Sequence, residues 1–231
     1  MKFLRELWEA LKYFFFPPRC PVCDEIVDED YQICAACYKK IFRVDFLARP
    51  PAPLERVLRV TKYRGGSREL LRELKFDNNL NVLPALKKIL DDVAEREEIL
   101  RLLDGVNFAV PVPLHADRLD KRGFNQVELI FADWLMKKNI PLRNFLKRTK
   151  STPHLYDQNK SKRQEILRGA FEAIKPVDLR GKKILIVDDI FTTGTTVSEC
   201  AKVLQSLGAE KICVLAFASD FGEDLSKKKS S

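Results

Sequence analysis

Two segments of this 231-residue sequence bring together residue types that do chemistry. The first is ILIVDDIFTTGTT at 184–196. Its apolar run predicts a buried strand that delivers Asp188 and Asp189 to its carboxyl edge. Thr192, Thr193, Gly194, Thr195 and Thr196 then turn into a helix. Small residues let backbone N–H groups approach an anion, hydroxyls add donors, and a helix N-terminus adds partial positive charge. Such a loop suits a phosphate monoester. Paired carboxylates beside it suit the vicinal hydroxyls of a ribose, each accepting hydrogen bonds. The second segment holds Cys20, Cys23, Cys34 and Cys37, two C-x-x-C pairs separated by ten residues. Each knuckle presents two sulfurs from a tight turn, and together they can close around one Zn²⁺. Four protein ligands leave no open position, so the site is expected to be structural. Two redox pairs, plain buried thiols or an iron–sulfur cluster are the other readings of the spacing, and adjacent knuckles favour zinc over all three.

The elements that must position these groups can be read from hydrophobic periodicity. Strands are expected within 54–63, 106–113, 182–189 and 211–218, with short ones near 145–148 and 169–173. Helices are expected over 67–76, 82–103, 124–138 and 195–207. Apolar strands alternating with helices predict an α/β fold with a mostly parallel sheet covered on both faces. Ligands of such sheets bind at the carboxyl ends of the strands. Residues 2–15 read as an amphipathic helix, with Phe3, Leu4, Leu7, Trp8, Leu11, Phe14 and Phe15 near helical spacing and Pro17 and Pro18 as its stop. It is expected to pack on the cysteine module or the main domain; contact with a partner or a membrane surface is the alternative. RPPAP at 49–53 reads as a linker. The expected division is a helix and zinc-binding module over 1–48, a main domain over 54–219, and a flexible basic tail over 220–231.

Composition narrows the class. The chain is 45% hydrophobic and 32% charged, with 12 Pro and 9 Gly, which suits a globular protein and excludes a fibrous one. No stretch approaches the ~18–20 uninterrupted apolar residues of a membrane span. The cysteines cluster instead of spreading as in a disulfide scaffold. The opening segment carries Arg5, Glu6, Glu9 and Lys12, so it lacks the clean apolar core of a signal peptide. A reducing, cytoplasmic setting is expected. The formal net charge is +8, of which residues 143–168 carry +6 and Lys227, Lys228 and Lys229 another +3. The rest of the chain is close to neutral. The positive excess therefore lies in the long polar loop 147–163 and the tail, and it favours a polyanion: a phosphorylated ribose first, single-stranded DNA second.

VDDIFTTGTT resembles the 5-phosphoribosyl 1-diphosphate (PRPP) signature of type I phosphoribosyltransferases. VPVPLHADRLDKRGFNQVEL at 110–129, together with the four-cysteine module, resembles the ComF family of competence-associated proteins. The likeness runs from Cys20 to about residue 218. It implies a type I phosphoribosyltransferase-like sheet flanked by helices, a small N-terminal zinc module, and a role in DNA uptake by competent bacteria. It implies that Asp188 and Asp189 hold the ribose and that residues 192–196 wrap the 5′-phosphate. The loop after the strand at 110–113 carries His115, Arg118 and Arg122, which in that layout face the diphosphate. Arg118 and Arg122 lie four apart, on one side of a helical turn. The long loop resembles a mobile flap, with Lys150, Gln158, Lys160 and Arg163 as candidate contacts to diphosphate or substrate. Ile166 stands where the family pattern has an Asn, so no polar role is assigned there.

Three functions compete at this point. One is a Mg²⁺-dependent phosphoribosyltransferase of unassigned acceptor, since no nucleobase-recognition motif is visible. The second is a non-enzymatic module that binds PRPP, a nucleotide or single-stranded DNA. The third is a zinc-module adaptor that docks a competence helicase or a membrane channel.

Overall fold

A computed structural model describes residues 8, 11, 13–29, 32–150 and 165–222. Phe3, Leu4 and Leu7 of the N-terminal stripe and most of the basic tail lie outside the described residues, as do Gln158, Lys160 and Arg163. The described members of that stripe, Trp8, Leu11, Phe14 and Phe15, are exposed and are not packed on the cysteine module or the main domain. Among the described residues, no helix is long and apolar enough to cross a membrane.

In chain order the elements are α1 (Ala35–Ile41), β1 (Phe42–Phe46), β2 (Arg56–Thr61), α2 (Gly65–Phe76), α3 (Leu83–Asp92) and α4 (Glu97–Leu103). Then follow β3 (Phe108–Pro111), α5 (Ala116–Arg122), α6 (Gln126–Lys137), β4 (Leu146–Arg148), β5 (Phe171–Ala173), β6 (Lys183–Phe191), α7 (Thr195–Ser206) and β7 (Lys211–Ser219). Five strands form one sheet in the order β1-β2-β7-β6-β3. All neighbours are parallel except β1 and β2. The mostly parallel sheet is therefore as expected. β4 and β5 pair antiparallel as a separate ribbon.

Alternating side chains of β6 enter two different cores, because successive residues of a strand point to opposite faces. Leu185 and Val187 pack in the cluster that holds Val127, Ile130 and Phe131 of α6. Ile184 and Ile186 join Val197, Cys200, Ala201 and Leu204 of α7. Burial on both faces is why the strand reads as one unbroken apolar run.

The single helix expected over 82–103 is two. α3 ends at Asp92, Arg96 is extended, and α4 restarts at Glu97. Charge explains the break: Asp91 and Asp92 oppose the negative end of a helix, while Glu97 and Glu98 suit the positive end of the next. The turn also rotates Leu100 outward, where it is exposed, while Ile99 and Leu102 are buried.

The cysteine segment is built into the sheet. α1 runs directly into β1, which pairs with β2 at the sheet edge. Arg59 of β2 is buried and pairs with Asp45 of β1 at 2.6 Å. Val22, inside the first knuckle, lies against the start of α2. A Cβ placed on Gly66 would stand 2.5 Å from a Val22 methyl, so α2 seats on the knuckle only because residue 66 has no side chain.

Candidate functional site

Register places the two acids. Pro111, the last residue of β3, stands opposite Val187, so Asp188 and Asp189 lie just beyond the end of that edge strand. Pro111 is tolerated because an edge strand needs no ladder donor on its open side. Both acids are buried, at 8% and 4% exposed. The Asp189 backbone N–H donates to Asp188 Oδ1 at 2.9 Å. Asp189 Oδ2 receives the Lys75 ammonium at 2.6 Å and Gln126 Nε2 at 2.9 Å. Gln126 in turn accepts from the Arg122 guanidinium through Oε1. Burial first, and the neighbouring Asp189 second, push the Asp188 carboxyl well above the usual range. The pair is thus asymmetric: burial favours the neutral form of Asp188, while Asp189 carries the ion pair with Lys75.

Residues 192–196 lead from β6 into α7. Gly194 caps the helix with φ of +76°. A Cβ there would stand 2.7 Å from Pro51 and 2.8 Å from the Phe191 ring. Pro51 belongs to the segment read as a linker, and it packs against the loop. The Thr193 and Thr195 hydroxyls are 2.9 Å apart, and Thr195 is buried. Thr192 is exposed, and Thr196 is half-buried. Backbone N–H groups and hydroxyls at the start of a twelve-residue helix can hold a phosphate. Gly194→Ala combines backbone strain with overpacking, each worth roughly 1–3 kcal/mol. It is expected to lower stability by about 2–4 kcal/mol in urea denaturation, and a loss under 1 kcal/mol would show that the loop can relax.

The basic side of the site comes from α5 and β4. Arg118 and Arg122 both lie on α5, as their spacing predicts. Burial and the neighbouring Arg118 lower the Arg122 guanidinium, against the pull of Asp189. Arg148 ends β4, which bridges His115 in parallel register. Burial and the charge of Arg118 bring Arg148 down to about 10. Guanidinium groups held near one another at a strand end can receive a polyanion. His115 serves as the N-cap of α5: its Nδ1 accepts from the Asp117 backbone N–H at 3.3 Å. Lys150, the last described residue before 165, donates to the Arg168 carbonyl at 2.7 Å. Asn125 caps α6 and donates to the Val112 carbonyl at 3.1 Å, which ties the basic loop to the end of β3.

Lys75, Gln126 and Arg148 are absent from the sequence-based set. Lys75 follows Leu71 by four residues, so it lies on the buried stripe of α2 with Leu70, Leu71 and Leu74. A lysine on an apolar stripe was the available signal. Arg148 follows the buried Leu146 by two residues and shares its face of β4.

The four cysteine sulfurs lie within 4.8 Å of one another, with Cys23 and Cys34 at 3.6 Å. Zn–S bonds of about 2.3 Å place tetrahedral sulfurs about 3.8 Å apart, so the set fits one Zn²⁺. Backbone N–H groups already turn toward sulfur: Cys34 toward Cys20 at 3.4 Å, and Cys37 toward Cys34 at 3.5 Å. Burial raises the Cys20 thiol, but N–H groups of Cys34, Val22 and Cys23 outweigh it and bring the thiol to about 7. The cysteines offer a closed metal cage, and the acids with the threonine loop offer an open cradle for a sugar phosphate.

Known proteins match both halves. Residues 11–48 match the double zinc ribbon domain, and residues 144–230 match the phosphoribosyl transferase domain. The DNA utilization protein YhgH of Escherichia coli (strain K12) is 31% identical over 201 residues, covering 84% of this chain and 81% of that protein. Competence protein F of Haemophilus influenzae is 32% identical over 154 residues, covering 64% of this chain and 66% of that protein. Among solved structures, the glutamine PRPP amidotransferase from B. subtilis matches 64% of this chain and 30% of its own, at 18% identity and a TM-score of 0.39. The sheet order and the phosphoribosyltransferase match together make the fold type I phosphoribosyltransferase-like, with a four-cysteine module at the amino end. At the identity and coverage of these relatives, the chain belongs to the ComF family.

Proposed function

We propose that this protein binds PRPP at the carboxyl end of β6 and acts in the uptake or use of DNA, as the names of its relatives indicate for them. The observation that carries the ligand is the run from two buried carboxylates directly into a threonine-rich loop at a helix N-terminus. In this reading residues 192–196 take the 5′-phosphate, and Asp188 and Asp189 take the ribose hydroxyls. Arg118, Arg122 and Arg148 face the diphosphate. Lys150, Gln158, Lys160 and Arg163 belong to the flap that excludes water once ligand is in place.

Transfer would break the bond between ribose C1 and the diphosphate oxygen, the diphosphate leaving with the electron pair. An acceptor nucleophile then bonds to C1. Positive charge develops on the ring as the bond breaks. The Asp189 carboxylate, anchored by Lys75 and Gln126, is a fixed negative charge suited to offset it. Bound with the diphosphate, Mg²⁺ supplies charge neutralisation to the leaving group. Among the described residues, the cysteine set is the one cluster of three or more metal-ligating side chains. In this reading Mg²⁺ comes with the diphosphate of the ligand.

Calorimetry with PRPP and Mg²⁺ is expected to show one-site binding, and diphosphate release in a screen of bases would identify the acceptor. Absence of heat at millimolar ligand would remove the ligand assignment. The second reading, a nucleic-acid-binding module without transfer, is favoured by the +6 charge of residues 143–168. It predicts salt-sensitive affinity for single-stranded DNA with no diphosphate released.

A further inference from the structure

Lys75 of α2 forms an ion pair with Asp189 at 2.6 Å. α2 carries Leu70, Leu71 and Leu74 into the core, and Lys75 continues that stripe with its side chain 13% exposed. A buried ion pair is weak support for stability, since an apolar pair of similar volume often does as well. A lysine here therefore asks for a role beyond packing. Lys75 lies in the last turn of α2, where the helix dipole favours a cation. Its ammonium and Gln126 Nε2 both meet Asp189 at Oδ2. Oδ1 takes neither contact.

We infer that Lys75 is a positioning residue of the ribose site: it anchors the Asp189 carboxyl through Oδ2 and so fixes its orientation toward a sugar hydroxyl. This rests on the ribose reading proposed above. The anchoring is two-sided. Lys75 supplies the charge, and the Arg122–Gln126 hydrogen bond fixes which end of the Gln126 amide meets the carboxylate. The charged or titratable groups around this carboxylate are Lys75 from α2, Arg122 from α5 and Asp188 beside it. Lys75 does not need to touch the ligand; it acts through Asp189.

The test uses the full-length, zinc-loaded protein. Calorimetry measures affinity for PRPP with Mg²⁺ and, separately, for inorganic diphosphate with Mg²⁺. Lys75→Met is expected to weaken PRPP binding at least tenfold and to leave diphosphate affinity within twofold of the parent. Lys75→Arg, which keeps the charge, is expected to recover most of the PRPP loss. Should Lys75→Met fail to fold, Lys75→Gln keeps a donor without charge and reads the same quantities. PRPP affinity within twofold of the parent overturns the inference and leaves the pair a packing feature. Equal losses for both ligands overturn it too, since the whole site would then have been disturbed. If the parent protein itself fails to bind PRPP, the ligand assignment falls, and with it the positioning role for ribose.

Discussion

Asp189→Asn is expected to destabilise the protein by about 3 kcal/mol, whereas Asp188→Asn is expected to cost little or to stabilise it. Neighbouring identical residues would then behave in opposite ways, and the cause is their surroundings. The Asp189 side chain is 5% exposed and neutralises Lys75 at 2.6 Å. Removing its charge leaves a mostly buried ammonium without its counter-ion, the expensive way to break a pair. For a chain of this size, about 3 kcal/mol corresponds to a fall in Tm of roughly 6–12 °C. Asp188 is already held toward its neutral form by burial and by Asp189. Its recorded task is to accept the Asp189 N–H at Oδ1, which an Asn oxygen does equally well.

The pH dependence follows from the same asymmetry. A carboxyl raised in the folded state contributes stability that is full below its ordinary value and is lost as pH rises through the folded value. Asp188→Asn removes that loss, so its stability relative to the parent should increase with pH. Urea denaturation at pH 5 and pH 8 measures both effects. Equal losses for the two variants would mean that the acids share one environment. On the ligand side, losing a charge-assisted hydrogen bond costs about 1.5–3 kcal/mol, so Asp189→Asn is expected to weaken PRPP binding roughly ten- to hundredfold.

Loss of zinc is expected to be the larger structural event. Cys34→Ser, or treatment with a strong chelator, should remove one Zn²⁺ per chain and unfold the knuckles, because binding free energy is folding free energy in such modules. Cys20, Cys34 and Cys37 share the core cluster that holds Leu70, Leu71 and Leu74 of α2. The damage therefore should not stop at the cysteines. Val22 seats Gly66 at the start of α2, and Lys75 lies nine residues further, about 14 Å along the helix axis. Metal loss is expected to speed hydrogen exchange through α2 and, through Lys75, to weaken PRPP binding. Metal analysis, exchange mass spectrometry and calorimetry read the three steps separately. Unchanged exchange in α2 after metal loss would show that the helix is held by the sheet alone.

How much of this was legible beforehand can be argued residue by residue. The four cysteines needed no structure, because ligand type and spacing already specify a tetrahedral cage. The strand β6 was equally plain. A run buried on both faces must be apolar throughout, and its two acids mark where the edge strand β3 stops pairing with it and a ligand can enter. The break between α3 and α4 was written in Asp91, Asp92, Glu97 and Glu98, but apolar periodicity alone runs across it. Leu100 follows the buried Val93 by seven residues, in phase for one continuous helix, yet the break leaves it exposed.

What the sequence determined by itself was chemistry carried by neighbours in the chain: sulfur cage, paired acids, threonine loop and their elements. Local rules suffice there, since spacing along one strand or turn fixes which groups point together. What only the tertiary structure decided was which of these groups are joined across the chain. Lys75 and Asp189 are 114 positions apart, and Gln126 and Asp189 are 63 apart. Their meeting depends on strand order and helix packing, which place α2 and α6 over the end of β6. The same long-range packing sets two identical aspartates apart, one pushed toward its neutral form and one ion-paired. No periodicity encodes that difference, because burial and counter-ions are properties of the assembled fold.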